Sequence, residues 1–182
     1  MTEDEIKKIR NGLEELKNLQ LQVYFEISIS TMARVNAISN IRIKQIDFEK
    51  GIISEVLEKE GYLVDLFPSE RALELTLELI NQRKKDKINS DFLFITKYGN
   101  EWRKVSKSTI QTSWIKKIGN IIGKNLHSHD LRHSASSILF NKGLPLEDVQ
   151  KLLNHQSPDT TLKYYVRKDI KKLQEQKKSF EI

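Results

Sequence analysis

The stretch HDLRHSASSILFNKGLPLEDVQKLLNHQSPDTTLKYY, residues 129–165, decides how this chain is read. It holds His129, Arg132 and His133, then His155, then the pair Tyr164 and Tyr165. Arginine grips phosphate with a fork of donors, histidine exchanges protons near neutral pH, and a tyrosine oxygen can bond covalently to a substrate. Side chains of these kinds suit attack on a phosphodiester without a metal ion. Helical signals frame them. Leu131, Ala135, Ile138 and Leu139 recur at helical spacing, and Gly143 stops a helix over 129–141. Pro145 opens a second helix to about residue 154, and Pro158 a third through Tyr164. His129 and Arg132 are three apart, so a helix sets them on one face.

Blander readings exist for each piece. A single histidine or arginine on a helix is usually structural, but the same segment also supplies His155 and Tyr164. His127, His129 and His133 do not read as a zinc site, because zinc favours added cysteine or carboxylate support and His127 and His129 share no helical face. No metal or other cofactor is expected. A DNA-reading helix–turn–helix over 144–165 is another possibility. Its connector HQSPD lacks the turn glycine common in such motifs, and it leaves His129 and Arg132 unexplained.

With 182 residues, 38% hydrophobic and 31% charged, the chain suits one soluble domain with a real core. No apolar run approaches the roughly 18 residues of a membrane span, and the N-terminus MTEDEIKKIRNGLEELK lacks a signal-peptide core. The absence of cysteine excludes disulfide and thiolate chemistry, and a cytoplasmic location is expected. The net charge of +6 is uneven: positions 1–100 carry 15 basic and 17 acidic residues, and positions 101–182 carry 16 and 8. The densest block, 101–128, sets Arg103, Lys104, Lys107, Lys116, Lys117 and Lys124 against Glu101 alone. Such a face is either ordinary solvated surface or a seat for a polyanion such as DNA.

Upstream, Thr2 and Glu5 form a capping-box pattern ahead of Ile6, Ile9, Leu13 and Leu16. A mostly buried helix is predicted over 19–33, with Leu21, Phe25, Ile29 and Met32 on one stripe. Two strands, 52–57 and 62–67, meet at a turn over 58–61. Ser69 caps a helix carrying Leu73, Leu77 and Ile80. Residues 82–91 read as a polar connection, 92–95 as a strand or buried turn, 106–122 as helix and 123–128 as loop. The tail RKDIKKLQEQKKSFEI is a charged helix with little apolar surface, marginal alone. The fold class is α+β, mainly helical, with a small antiparallel β-sheet or hairpin.

With H-x-L-R-H at 129–133, L-N-H at 153–155 and a tyrosine nine positions later after Thr160 and Thr161, the sequence resembles the catalytic domain of tyrosine recombinases, the phage integrase family. The resemblance covers essentially the whole chain. Members open this domain with a Thr-x-x-Glu helix, matched by Thr2 and Glu5, and place an arginine soon after the second helix, matched by Arg34 in TMARVNAI. They then place a lysine in a β-hairpin turn, matched by Lys59 in VLEKEGYLVDLFP. The resemblance implies an active site of Arg34, Lys59, His129, Arg132, His155 and Tyr164. It implies double-stranded DNA as partner, a tetramer on DNA, and cleavage and rejoining through a 3′-phosphotyrosyl link without metal or ATP. The catalytic domain would span 1–166 and the charged tail 167–182, and these residues offer no match to the family's N-terminal core-binding domain.

Departures from the pattern are local. Met32 stands where a glycine usually precedes the first arginine, Ala37 where an acidic residue usually follows it, and Asn154 where a glycine usually precedes the histidine. Arg42 falls too near the strand to replace Arg34. Tyr165 adjoins Tyr164, and one helical step turns a side chain by about 100°, so only one can face a phosphate; the spacing from His155 favours Tyr164. Rival classes are a type IB topoisomerase relaxing DNA without sequence preference, an inactive DNA-binding relative, and a basic helical protein binding RNA or acidic partners.

Overall fold

In the computed structural model, which describes residues 1–58 and 61–153, the chain begins with the expected capping box. Glu5 N–H donates to Thr2 Oγ1 at 3.2 Å and Thr2 N–H to Glu5 Oε2 at 3.0 Å, opening α1 (Glu3–Glu15). Ile6, Ile9 and Leu13 are its buried face. Helix α2 (Leu19–Thr31) is more deeply placed than a single stripe implies. Leu21, Val23, Tyr24, Phe25 and Ile27 are all buried, because α1, α4 (Glu70–Lys85), α7 (Ser128–Asn141) and α3 (Val35–Asn40) pack around it. That depth also buries Glu26, and a buried carboxylate needs a partner. Arg10 supplies one bidentately at 2.7 and 2.9 Å, with Arg71 Nε at 3.4 Å.

The sheet has three antiparallel strands in the order β1 (Ile46–Asp47), β2 (Ile52–Leu57), β3 (Leu63–Leu66). Leu57 faces Leu63 at the closed end of the β2–β3 hairpin, and Glu58 N–H donates to the Tyr62 carbonyl at 2.7 Å. A second, two-stranded hairpin of β4 (Ile95–Tyr98) and β5 (Glu101–Lys104) was not anticipated. Nor does the polar connection begin at residue 82. Helix α4 continues to Lys85, and Arg83 turns inward to hold the buried turn at 92–93, donating to the Phe92 carbonyl at 3.1 Å and the Leu93 carbonyl at 2.6 Å. The predicted helix over 106–122 is interrupted: α5 (Lys107–Thr109) and α6 (Ile115–Ile121) flank a π-turn at Ile110–Trp114. Trp114, Tyr24 and Phe94 meet edge to face with centroids 5.3–5.9 Å apart, tying this turn and the buried run to α2. Gly143, at φ 97°, separates α7 from α8 (Leu146–Leu152) as expected. Among the described residues no helix is long and apolar enough to cross a membrane.

Candidate active site

Arg34 stands at the N-cap of α3, two residues after α2 ends abruptly. The end is Met32, whose φ of 53° and ψ of 23° lie in the left-handed region. Glycine enters that region without strain, whereas a side chain there costs about 1–2 kcal/mol. The expected glycine at this position therefore has a backbone reason. Met32 meets the same geometry while packing its side chain against Ala135, Val149 and Leu153, with 0% exposure.

The consequence of the turn is where it aims a carbonyl. The Met32 carbonyl accepts from Arg132 Nη1 at 2.6 Å, and the Leu153 carbonyl accepts from Arg132 Nη2 at 2.5 Å. Arg132 is 5% exposed, and a guanidinium is tolerated at that depth only where its donors are met. One buried cation thus joins the chain two residues before Arg34 to the chain two residues before His155. Segments a hundred residues apart in sequence are drawn to one place.

His129 and Arg132 both lie in α7, three residues apart, but at different depths. His129 is exposed while Arg132 is buried, and the ring of His133, one turn on, has its centroid 6.5 Å from that of His129. Partial burial lowers the His133 pKa, and the nearby His129 and Arg132 lower it further. His127 is taken up in capping: its backbone N–H donates to Asp130 Oδ2 at 2.7 Å at the start of α7. Lys59, His155, Tyr164 and Tyr165 lie outside the described residues, as do the helix predicted over 158–164 and the tail 167–182.

Sequence reasoning overlooked Glu58. Its carboxylate, 8% exposed, accepts from Arg34 Nη1 at 2.5 Å. At the far end of α3, Asn40 Nδ2 donates to the Leu57 carbonyl at 2.9 Å, and Lys104 Nζ donates to Asn40 Oδ1 at 2.8 Å. Both ends of α3 therefore hold the tip of β2, next to Lys59 in sequence. The basic block also acquires places. Arg103 pairs with Glu101 at 2.7 Å and Lys124 with Glu5 at 2.5 Å, whereas Lys107, Lys116 and Lys117 are exposed.

A sequence model described as the phage integrase family matches residues 1–172. The chain belongs to that family. Similar members include the tyrosine recombinase XerA of Pyrococcus horikoshii, 30% identical over 96% of this chain and 59% of that protein. The tyrosine recombinase XerC of Oceanobacillus iheyensis is 32% identical over 81% of this chain and 50% of its own length. The chain thus spans a half to three fifths of these relatives. Among solved structures, the crystal structure of XerA recombinase superposes with a TM-score of 0.77 at 22% identity, over 89% of this chain and 58% of that one. XerH bound to palindromic difH in a post-cleavage complex gives 0.75 at 22% identity, over 96% and 51%. A lambda integrase tetramer bound to a Holliday junction gives 0.62 at 19% identity, over 90% and 47%. The phage integrase fold is the fold of this chain.

Proposed function

We propose that this phage integrase family chain carries the catalytic site of a site-specific DNA recombinase that integrates or excises a mobile element. It cuts and rejoins strands of double-stranded DNA through a 3′-phosphotyrosyl link. The observation that supports the reading is the buried Arg132 bridge between the Met32 and Leu153 carbonyls, because it ties the turn two residues before Arg34 to the end of α8, two residues before His155 in sequence.

The roles follow from the chemistry of each group. Arg34 and Arg132 supply fixed cations to the scissile phosphate and to the added negative charge of its five-coordinate transition state. Such preorganised charge is the main lever in phosphoryl transfer. Tyr164 attacks through its phenol oxygen, His129 takes the proton, and His155 donates to a phosphate oxygen. Lys59 protonates the departing 5′-oxygen, and each proton transfer is worth about 10²–10⁴-fold. The covalent link conserves the phosphodiester, so religation reverses the same steps without metal or ATP. On this reading residues 1–166 form the catalytic domain and the tail 167–182 packs on an adjacent protomer. The working assembly is a tetramer on DNA, as in the lambda integrase complex with a Holliday junction.

The test is a suicide duplex whose cleavage strands the enzyme on DNA. Tyr164→Phe should bind it as the unchanged chain does and form no adduct, while Tyr165→Phe forms adduct normally. Adduct persisting in Tyr164→Phe and vanishing in Tyr165→Phe reassigns the nucleophile; adduct lost in neither rejects the tyrosyl mechanism.

A further inference from the structure

Arg34 is the more accessible member of the arginine pair, half-buried with its side chain 32% accessible, and a long side chain that is not fully packed can sample several rotamers. A residue that must meet one phosphate from one direction needs something to hold its fork. Helix α3, which begins at Arg34, offers no carboxylate of its own, since its sequence is VNAISN. The carboxylate comes from the hairpin instead. Glu58 is bonded to Nη1, and no other hydrogen bond or ion pair of the Arg34 guanidinium exists among the described residues.

Glu58 is itself held. Its backbone N–H closes the hairpin on the Tyr62 carbonyl at 2.7 Å, and the preceding Leu57 carbonyl is gripped by Asn40 at 2.9 Å. An 8% exposed carboxylate with a cationic partner is costly to strip of that partner. A guanidinium carries five N–H donors, so a carboxylate on Nη1 still leaves donors for a phosphate. Glu58 could act as a competitor that blocks Arg34 or as a brace that aims it. Single-point attachment by a well-anchored, buried carboxylate favours the brace, because a competitor would have to be expelled into solvent from a closed hairpin base.

We infer that Glu58 is a positioning residue: it fixes the Arg34 fork against the base of the β2–β3 hairpin so that the remaining donors meet the scissile phosphate already oriented. The inference rests on the recombinase reading above. It does no chemistry of its own, and it acts only through Arg34.

The experiment compares Glu58→Gln, Glu58→Ala, Arg34→Ala and the double variant Arg34→Ala/Glu58→Ala in single-turnover adduct formation on the suicide duplex. Duplex affinity and thermal midpoint are followed alongside, and NMR of the arginine side chains reports rotation of the Arg34 guanidinium. Glu58→Ala should slow adduct formation about tenfold or more in the Arg34 protein and by less than about twofold when Arg34 is already gone. Glu58→Gln, which keeps an acceptor without the charge, should fall between and retain the midpoint. The slowed guanidinium rotation of the unchanged protein should be lost in Glu58→Ala. Equal slowing by Glu58→Ala in both backgrounds, faster cleavage on its removal, or unrestricted Arg34 rotation in the unchanged protein would overturn the brace. Adduct formation absent from the unchanged chain, with Arg34 rotation still restricted by Glu58, would instead retire the recombinase reading on which the brace depends.

Discussion

At the residue scale, one dihedral angle explains a substitution that looked like a weakness. Met32 occupies a left-handed turn where glycine would be unstrained, and it is fully buried. Truncating a buried methionine costs about 2–5 kcal/mol, and relief of the left-handed strain returns about 1–2 kcal/mol to glycine but not to alanine. Met32→Gly should therefore lower stability by about 1–3 kcal/mol, and Met32→Ala should be less stable still, by about 1 kcal/mol, in urea unfolding. Alanine proving more stable than glycine would contradict the strain. Arg34, His129 and Arg132 stand out in the sequence because each residue type has its own phosphate or proton chemistry, and the roles given to them, to His155 and to Tyr164 are those proposed above. Arg132's two carbonyl partners were not legible, because a backbone oxygen leaves no mark on sequence. Glu58 was equally hidden: nothing in its neighbourhood of the chain points to a cation 24 residues earlier.

At the element scale, periodicity located the long helices and the β2–β3 hairpin, since each buries one regular face. It failed where burial is irregular. In β4–β5 only Ile95 is buried and β5 is wholly exposed, so no alternation exists to read, and Gly99–Asn100 was the available turn signal. The interruption of 106–122 by a π-turn adds a residue within one helical turn, which composition does not encode. The loop that leads into α7 is set by another close approach. A Cβ on Gly119, within α6, would stand 2.2 Å from the Lys124 carbonyl oxygen, so backbone would have to move. Gly119→Ala should cost about 1–3 kcal/mol despite alanine's better helix propensity, read as a lower unfolding midpoint. Gly12→Ala, where the 2.6 Å neighbour is the Ile121 side-chain methyl, should be milder. A raised midpoint for Gly119→Ala would show that the loop does not press on α6 as described.

At the scale of the whole molecule, an acidic first half and a basic second half fold so that a buried arginine from the second holds the turn that carries an arginine of the first. The hairpin before Lys59, the turn before Arg34 and the end of α8 before His155 are thereby referred to one frame built on α2, α3 and α7. On the proposed mechanism, cations converge on a single phosphate within reach of a phenol. That convergence is tested most directly by trapping the full chain on a suicide duplex in the presence of a metal chelator, digesting the adduct and mapping the DNA-linked peptide by mass spectrometry. The expected product is a 3′-phosphate joined to the peptide containing Tyr164, with the link abolished in Arg34→Ala and Arg132→Ala. A link to a 5′-phosphate, a link at another residue, or a link that forms only with added metal would contradict it.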